Sequence, residues 1–461
     1  MTKRILLNAF DMACAGHQSP GLWAHPEDQS DRYNDINYWV ELGQLLEKGK
    51  FDGLFLADVV GVYDVYKGSR NAAVRQGVQV PVNDPLLLVP AMAQATKNLS
   101  FGLTYTLTYE QPYTLARRFS TLDHLTNGRV AWNIVSSYLD SAARNYGLSQ
   151  QIGHDNRYEL AEEFLEVVYK LWEGSWEDDA VKHDKDTRVF ADPEKVHEID
   201  HDGKHFRVKG IHLCDPSPQR TPVLYQAGAS PRGRKFASHH AECVFVAGPT
   251  PQIVRKTVDD IRQKAEESGR GRDSIKVFTV FTPIVGRTEE EAKRKHEEQK
   301  SYVSYDGALA LLGGWTGIDY SQLEPDQTLE YIENDSMRSA VEIFTTADPE
   351  KRWTVEELAK HVGLGGRGPL VVGSPEQVAD ELERWVREAD VDGFNIAYTL
   401  APGTFKDFIE LVVPILQERG LVQKDYEEGT YREKLFGSGK THLPDTHTGT
   451  QYRKRKELET V

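Results

Sequence analysis

The side chains best placed to do chemistry stand where apolar runs stop. In AWNIVSSYLDSAARNYG (131–147) a strand-like stretch ends among Asn133, Ser136 and Ser137, which brings amide and hydroxyl groups to a site where a buried strand finishes. Such groups build a cofactor pocket or simply cap the strand. In AGASPRGRKF (227–236), Ser230 precedes Pro231 in the order of an N-cap and a first helical residue, with Arg232 and Arg234 in the first turns. Free amides and the helix dipole there contribute about 0.3–1 kcal/mol toward an anion, and the arginines add charge, so a phosphate fits. An ordinary Ser-Pro helix start with surface arginines is the alternative. In HDNRYELAEEF (154–164), Asp155 or Asn156 is a candidate cap for a helix that carries Tyr158 on its first turn. The Tyr158 hydroxyl could also reach a phosphate, while His154 could serve a phosphate, a cofactor hydroxyl or only the cap. Cys14 and His17, three residues apart, suggest a metal half-site or a nucleophile with its base, but no Cys/His cluster completes a zinc set. Proton handling suits His17 better, because an unperturbed imidazole titrates near ~6.5.

The elements that must carry these residues alternate strand with helix. Strand-like runs fall at 5–10, 51–58, 99–107, 129–136, 221–227, 242–247, 275–285 and 393–398. Trp39, Leu42, Leu45 and Leu46 share one helical face; Phe164, Leu165, Val168, Leu171 and Trp172 share another. Ser374 and Pro375 open a further helix with Val378, Leu382 and Trp385 at helical spacing. Eight strands with interleaved helices, and no GxGxxG after the first, predict an α/β fold of the (β/α)8 TIM-barrel class. A single barrel domain is expected over 1–420, with large insertions at about 174–220 and 288–372 that would wall its mouth, and a C-terminal extension over 421–461. That extension, with its short basic stretch at 453–456, reads as a solvated or partner-packing tail. In such a barrel the chemistry belongs to the strands' carboxyl ends, which adds Asp58 after the second strand and Thr104, Thr106 and Thr108 along the third.

The 461 residues are 39% hydrophobic and can bury a sizeable core, while a net charge of −16 disfavours nucleic acid or an anionic membrane as the partner. A small molecule is the better expectation. Three cysteines without CxxC spacing argue against a disulfide framework and a structural zinc, and no other metal site is expected. No stretch approaches the roughly 18 apolar residues of a membrane span. The chain therefore reads as cytoplasmic, neither exported nor membrane-anchored.

Seven ordered segments carry a resemblance: NAFDMACAGH (8–17), GKFDGLFLADVVGVYDVY (49–66), QPYTLARRFSTLDHLTNGRVAWNIVSS (111–137), ARNYG (143–147), HDNRYELAEEFLE (154–166), SPQRTPVLYQAGASPRG (217–233) and DGFNIAYTLAPGTFKDFIELVVPILQERG (392–420). Together they resemble the flavin monooxygenases of the bacterial-luciferase-like superfamily, in the branch of the nitrilotriacetate, dibenzothiophene sulfone, long-chain alkane and dimethyl sulfide monooxygenases. The resemblance implies a two-component enzyme. A separate NAD(P)H-dependent flavin reductase would supply reduced FMN, which with O2 oxygenates a small substrate in a site closed to water; a homo-oligomer is also expected. It places Asp58, Thr104, Ser137, His154, Tyr158, Ala229 and Ser230 in the cofactor site, and Asn133 beside the flavin C4a region, where it would hydrogen-bond the peroxide. Cys14 and His17 would join Asn133 as catalytic residues, with Phe10, Tyr63 and Tyr138 lining the substrate side.

Within the branch, residues 134–139, 313–339 and 368–386 resemble the dimethyl sulfide monooxygenases most. The alkane members of the branch carry histidines where this chain has Tyr138 and Leu311, so a small organosulfur or related apolar substrate is expected before a long-chain alkane. Two readings of other classes stand beside this one: a deazaflavin-dependent dehydrogenase on the same barrel, which transfers hydride without oxygen, and a non-catalytic flavin-binding protein.

Overall fold

Strands buried on both faces read as continuous apolar runs, and it is these runs that form the sheet of the computed structural model, which describes residues 3–228, 230–329, 341–342, 345 and 352–454. The first four strands are β1 (Leu6–Met12), β2 (Gly53–Ala57), β3 (Ser100–Thr106) and β4 (Val130–Val135). Two antiparallel hairpins follow within the first insertion, β5 (Val181–Asp184) with β6 (Val189–Ala191) and β7 (His201–Asp202) with β8 (Arg207–Val208). The sheet resumes with β9 (Val223–Gln226), β10 (Cys243–Val246), β11 (Lys276–Val285), β12 (Leu370–Gly373) and β13 (Gly393–Ile396). Parallel pairing runs β10-β9-β4-β3-β2-β1-β13-β11, and β10 pairs with β11 to close an eight-stranded TIM barrel. All eight expected strands are in the ring. β12 was not expected: it adds to the end of the long β11, pairing with Thr282 to Val285.

Phe10, Phe55, Tyr225, Phe245 and Phe278 fill the barrel axis. Outside it, the helix Ile36–Lys48 buries Trp39, Leu42 and Leu46, as its spacing predicts, and Asp35 caps it by accepting from the Asn37 amide. Ser374 likewise caps the helix Pro375–Ala389, in a reciprocal capping box with Gln377. The second insertion contributes the helices Glu289–Lys300, Tyr305–Thr316 and Val355–Val362. Among the described residues no helix is long and apolar enough to cross a membrane.

The extension departs from the expectation of a solvated or partner-packing tail. Its helix Tyr431–Phe436 plugs the amino-terminal end of the chain's own barrel. The Tyr431 hydroxyl meets those of Tyr225 and, at 3.4 Å, the Asn8 side chain. Beside it the Arg432 guanidinium donates from Nε and Nη2 to the two carboxylate oxygens of Glu242 at 2.7 and 2.9 Å. Residues 455–461, which complete the basic stretch, lie outside the described residues.

Candidate active site

At the opposite end, the carboxyl ends of β2, β3, β4 and β9 surround a cavity of about 220 Å³. Asp58, Thr104, Thr106, Ser136, Ser137, Tyr138, His154, Tyr158 and Ser230 all line it, so nine residues singled out from sequence meet in one place. A neighbouring hollow of about 500 Å³ shares the wall Asp58, Val59, Val60 and Thr106.

Register explains the convergence on the strand side. Thr104 lies opposite Asn133 across the β3–β4 ladder, and Asn133 Nδ2 donates to Thr104 Oγ1 at 2.9 Å. Asn133 is 3% exposed, and its Oδ1 has no hydrogen-bond partner among the described residues. Ser137 holds a left-handed backbone, φ 52°, and its hydroxyl donates to Thr106 Oγ1 at 2.9 Å. Burial in the wall pushes Asp58 up to about 7, with the Asp84 carboxylate adding to the rise. A carboxyl so placed keeps a proton up to near neutrality and can donate it in a hydrogen bond.

On the helix side, Ser230 caps Pro231–His240 by accepting from the Gly233 amide at 3.0 Å. The Tyr158 hydroxyl reaches the same turn, since a Cβ placed on Gly233 would lie 2.8 Å from it. The Arg232 guanidinium carbon sits 5.9 Å from the Tyr158 ring centre. The expected cap of the preceding helix is corrected: His154–Tyr169 begins at His154 after Gly153, with no side-chain cap. Asp155 lies inside that helix, its carboxylate 2.9 Å from His154 Nδ1. Ala229 lies outside the described residues.

Phe10, Cys14, His17, Tyr63 and Asn133 are not among the residues lining the cavity; Tyr63 packs against Tyr138 and Asn133 against Thr104, both of which line it. Tyr63 donates to Gln79 Oε1 at 2.7 Å, so the 2.9 Å contact between the two phenols has Tyr138 donating to Tyr63. Gln79 Nε2 in turn donates to the His17 carbonyl at 2.7 Å. The His17 ring is set edge-on against Phe10, centres 4.5 Å apart. Burial lowers His17 to about 3 and raises the Cys14 thiol well above its usual range. The expectation of an imidazole titrating near working pH is thereby corrected to a neutral ring, and Cys14 has no thiolate to act as nucleophile. Among the described residues no group of three or more His, Cys, Asp or Glu could hold a metal.

Four polar residues at the site were not foreseen, among them Arg157, which lines the cavity from the helix His154–Tyr169. Gln79 ties Tyr63 to the His17 loop, and Arg367 lines the cavity with its guanidinium carbon 4.8 Å from the Trp315 ring centre. The last, Gln226, ends β9 and also lines the cavity. Only Gln226 carried a signal, a polar residue closing an apolar strand, which is the pattern that flagged Asn133.

The family profile described as luciferase-like monooxygenase matches residues 10–393. The chain is 55% identical to the dimethyl-sulfide monooxygenase of Hyphomicrobium sulfonivorans over 98% of this chain and 94% of that one. It is 54% identical to the long-chain alkane monooxygenase of Geobacillus thermodenitrificans (strain NG80-2), over 98% of this chain and 99% of the other. The crystal structure of DmoA from Hyphomicrobium sulfonivorans covers 98% of this chain and 96% of its own, with a TM-score of 0.92 at 55% identity. Likeness of that extent, running through the strand ends and the capped helix that enclose the cavity, places this chain in the luciferase-like monooxygenase family and makes it a flavin-dependent monooxygenase.

Proposed function

We propose that this chain is the oxygenase component of a two-component system. A separate NAD(P)H-dependent reductase supplies reduced FMN, and the substrate is a small organosulfur molecule of the dimethyl sulfide kind. One observation carries the reading: a single cavity has a phosphate-type helix start on one side and, on the other, an apolar wall that includes Tyr138.

The residues fit the flavin. Ser230, the Tyr158 hydroxyl and the amino end of Pro231–His240 would hold the phosphate. The buried, unpartnered oxygens Asn133 Oδ1 and Gln226 Oε1 call for hydrogen-bond donors, which the ribityl hydroxyls and ring N–H groups carry. Bound there, reduced flavin would supply the two electrons by which one oxygen atom of O2 enters substrate and the other leaves as water. The protein's part is positioning and exclusion. Asn133, behind Thr104 in the cavity wall, would set a fixed amide dipole toward the reacting end, because β4 and Thr104 fix its rotamer. Asp58 can donate a proton in a hydrogen bond. Val59, Val60, Tyr138 and Leu139 keep the wall apolar, limiting water where a reactive oxygen species would otherwise decay.

Substrate choice rests on two positions. Tyr138 and Leu311, where the sequence leaves the alkane-oxidising pattern, belong to one apolar cluster with Tyr63 and Trp315. A phenol and a leucine in place of imidazoles favour a small, polarisable sulfide. The test is to mix photoreduced FMN, made without any reductase, with the protein and dimethyl sulfide. Oxygen uptake coupled to loss of the sulfide is expected; uptake indifferent to the sulfide would sink the substrate, and a long-chain alkane run in parallel would reveal the other activity of the branch.

Ser230→Ala is expected to weaken reduced-FMN binding by about 1–2 kcal/mol, through one lost charge-assisted hydrogen bond. Anaerobic titration measures it, and reduced riboflavin, which has no phosphate, should bind the variant and the parent alike. Equal FMN affinity in both proteins would remove Ser230 from the phosphate site.

A further inference from the structure

We propose that Gln226 holds the ribityl chain of the flavin and selects for it, an inference that rests on the flavin reading above. Gln226 closes β9 and is 4% exposed, yet it lines the cavity. Its Oε1 is buried and has no hydrogen-bond partner among the described residues. A buried acceptor left in this state is unfavourable unless a ligand or water supplies a donor.

Pleat and register fix where it stands. Across the β4–β9 ladder Asn133 is opposite Tyr225, inside the barrel, and Ile134 is opposite Gln226. Gln226 therefore leaves the strand on the helix side of the rim, two residues before Gly228 and four before the Ser230 cap. A Cβ on Gly228 would lie 2.0 Å from Gln226 Nε2 and 3.2 Å from the Tyr158 hydroxyl. Only a residue without a side chain lets the amide, the phenol and the backbone at 228 approach this closely.

Chemistry then chooses among the parts of the flavin. An unpartnered carbonyl oxygen needs a donor. A phosphate dianion has none at neutral pH, and the helix start beyond Gly228 already suits it. Ring N–H groups fit the strand-end side, where Asn133 Oδ1 waits for a donor of its own. Gln226 lies between these two, and the segment that joins ring to phosphate carries three hydroxyls.

Anaerobic equilibrium dialysis with reduced FMN, riboflavin and lumiflavin separates the possibilities. For Gln226→Leu, affinity for FMN and for riboflavin should each fall about 10-fold, while lumiflavin, which lacks the ribityl chain, binds as it does to the parent. Gln226→Glu keeps an acceptor oxygen and should hold riboflavin within about threefold of the parent; it also serves if the leucine variant melts early. Unchanged FMN binding in Gln226→Leu overturns the proposal. So does an equal loss for lumiflavin, which would mean a ring contact, or a loss for FMN alone, which would mean a phosphate contact. If the parent protein binds none of the three flavins, the flavin reading itself fails; if it binds them and only the variant results disagree, Gln226 alone is wrong.

Discussion

Asn133→Ala should form about 100-fold less product per oxygen consumed, with the missing oxygen recovered as hydrogen peroxide and reduced-flavin affinity within about threefold of the parent. The size follows from what a fixed dipole is worth in a dry site, where removing one preorganised hydrogen-bonding group slows reaction by about 10²–10³-fold. Asn133 meets the conditions for such a group. It is mounted on a strand, tied to Thr104 at 2.9 Å, and keeps one amide atom unpartnered at 3% exposure. Truncation to alanine changes little of the surrounding packing, since Thr104 can turn its hydroxyl elsewhere. Asn133→Asp keeps the shape and an acceptor oxygen but sets a charge where the neutral amide dipole stood, so it should be as uncoupled as the alanine variant. A peroxide assay run beside product analysis decides the matter; a fully coupled alanine variant would remove Asn133 from the chemistry.

The largest effect on stability is expected at the other end of the barrel. Arg432→Met leaves the Glu242 carboxylate, 2% exposed, without its bidentate partner, and breaking a buried pair in this way costs about 3–5 kcal/mol. The guanidinium also donates to the Thr221, Gln219 and Thr441 carbonyls, at 2.8, 3.2 and 2.8 Å, so three backbone acceptors lose a donor as well. Chemical denaturation should show the loss as an earlier transition, and Glu242→Gln in the same chain should restore part of it by removing the stranded charge. A single variant as stable as the parent would mean that water replaces the guanidinium and that the tail is an accessory. Because a 461-residue chain need not unfold in one step, fluorescence and circular dichroism should be followed together.

What could be read from sequence divides along physical lines. The eight barrel strands were legible because each is buried on both faces and so writes an uninterrupted apolar run. Ser230 with Pro231 was legible because capping is local chemistry, completed within three residues. β12 was missed because four residues after a glycine-rich stretch carry no period, and the β5–β8 hairpins because runs such as VKHD are polar and exposed. The His17 titration could not be foreseen, since burial by distant segments sets it. Gln79 and Arg367 are isolated polar residues whose meaning lies in partners brought by the fold. The same holds for Tyr431 and Arg432, whose partners Tyr225 and Glu242 lie 206 and 190 positions away along the chain.

That separation bears on synthesis. A ribosome making this chain emits every strand of the ring, and the strand ends and helix start that line the cavity, before it emits the helix that seals the floor. Until then Glu242 has no guanidinium and the Tyr225 hydroxyl lacks its tyrosine neighbour, so the floor of the ring is without the contacts that close it. The cavity's walls are thus made before the helix that locks the floor beneath them.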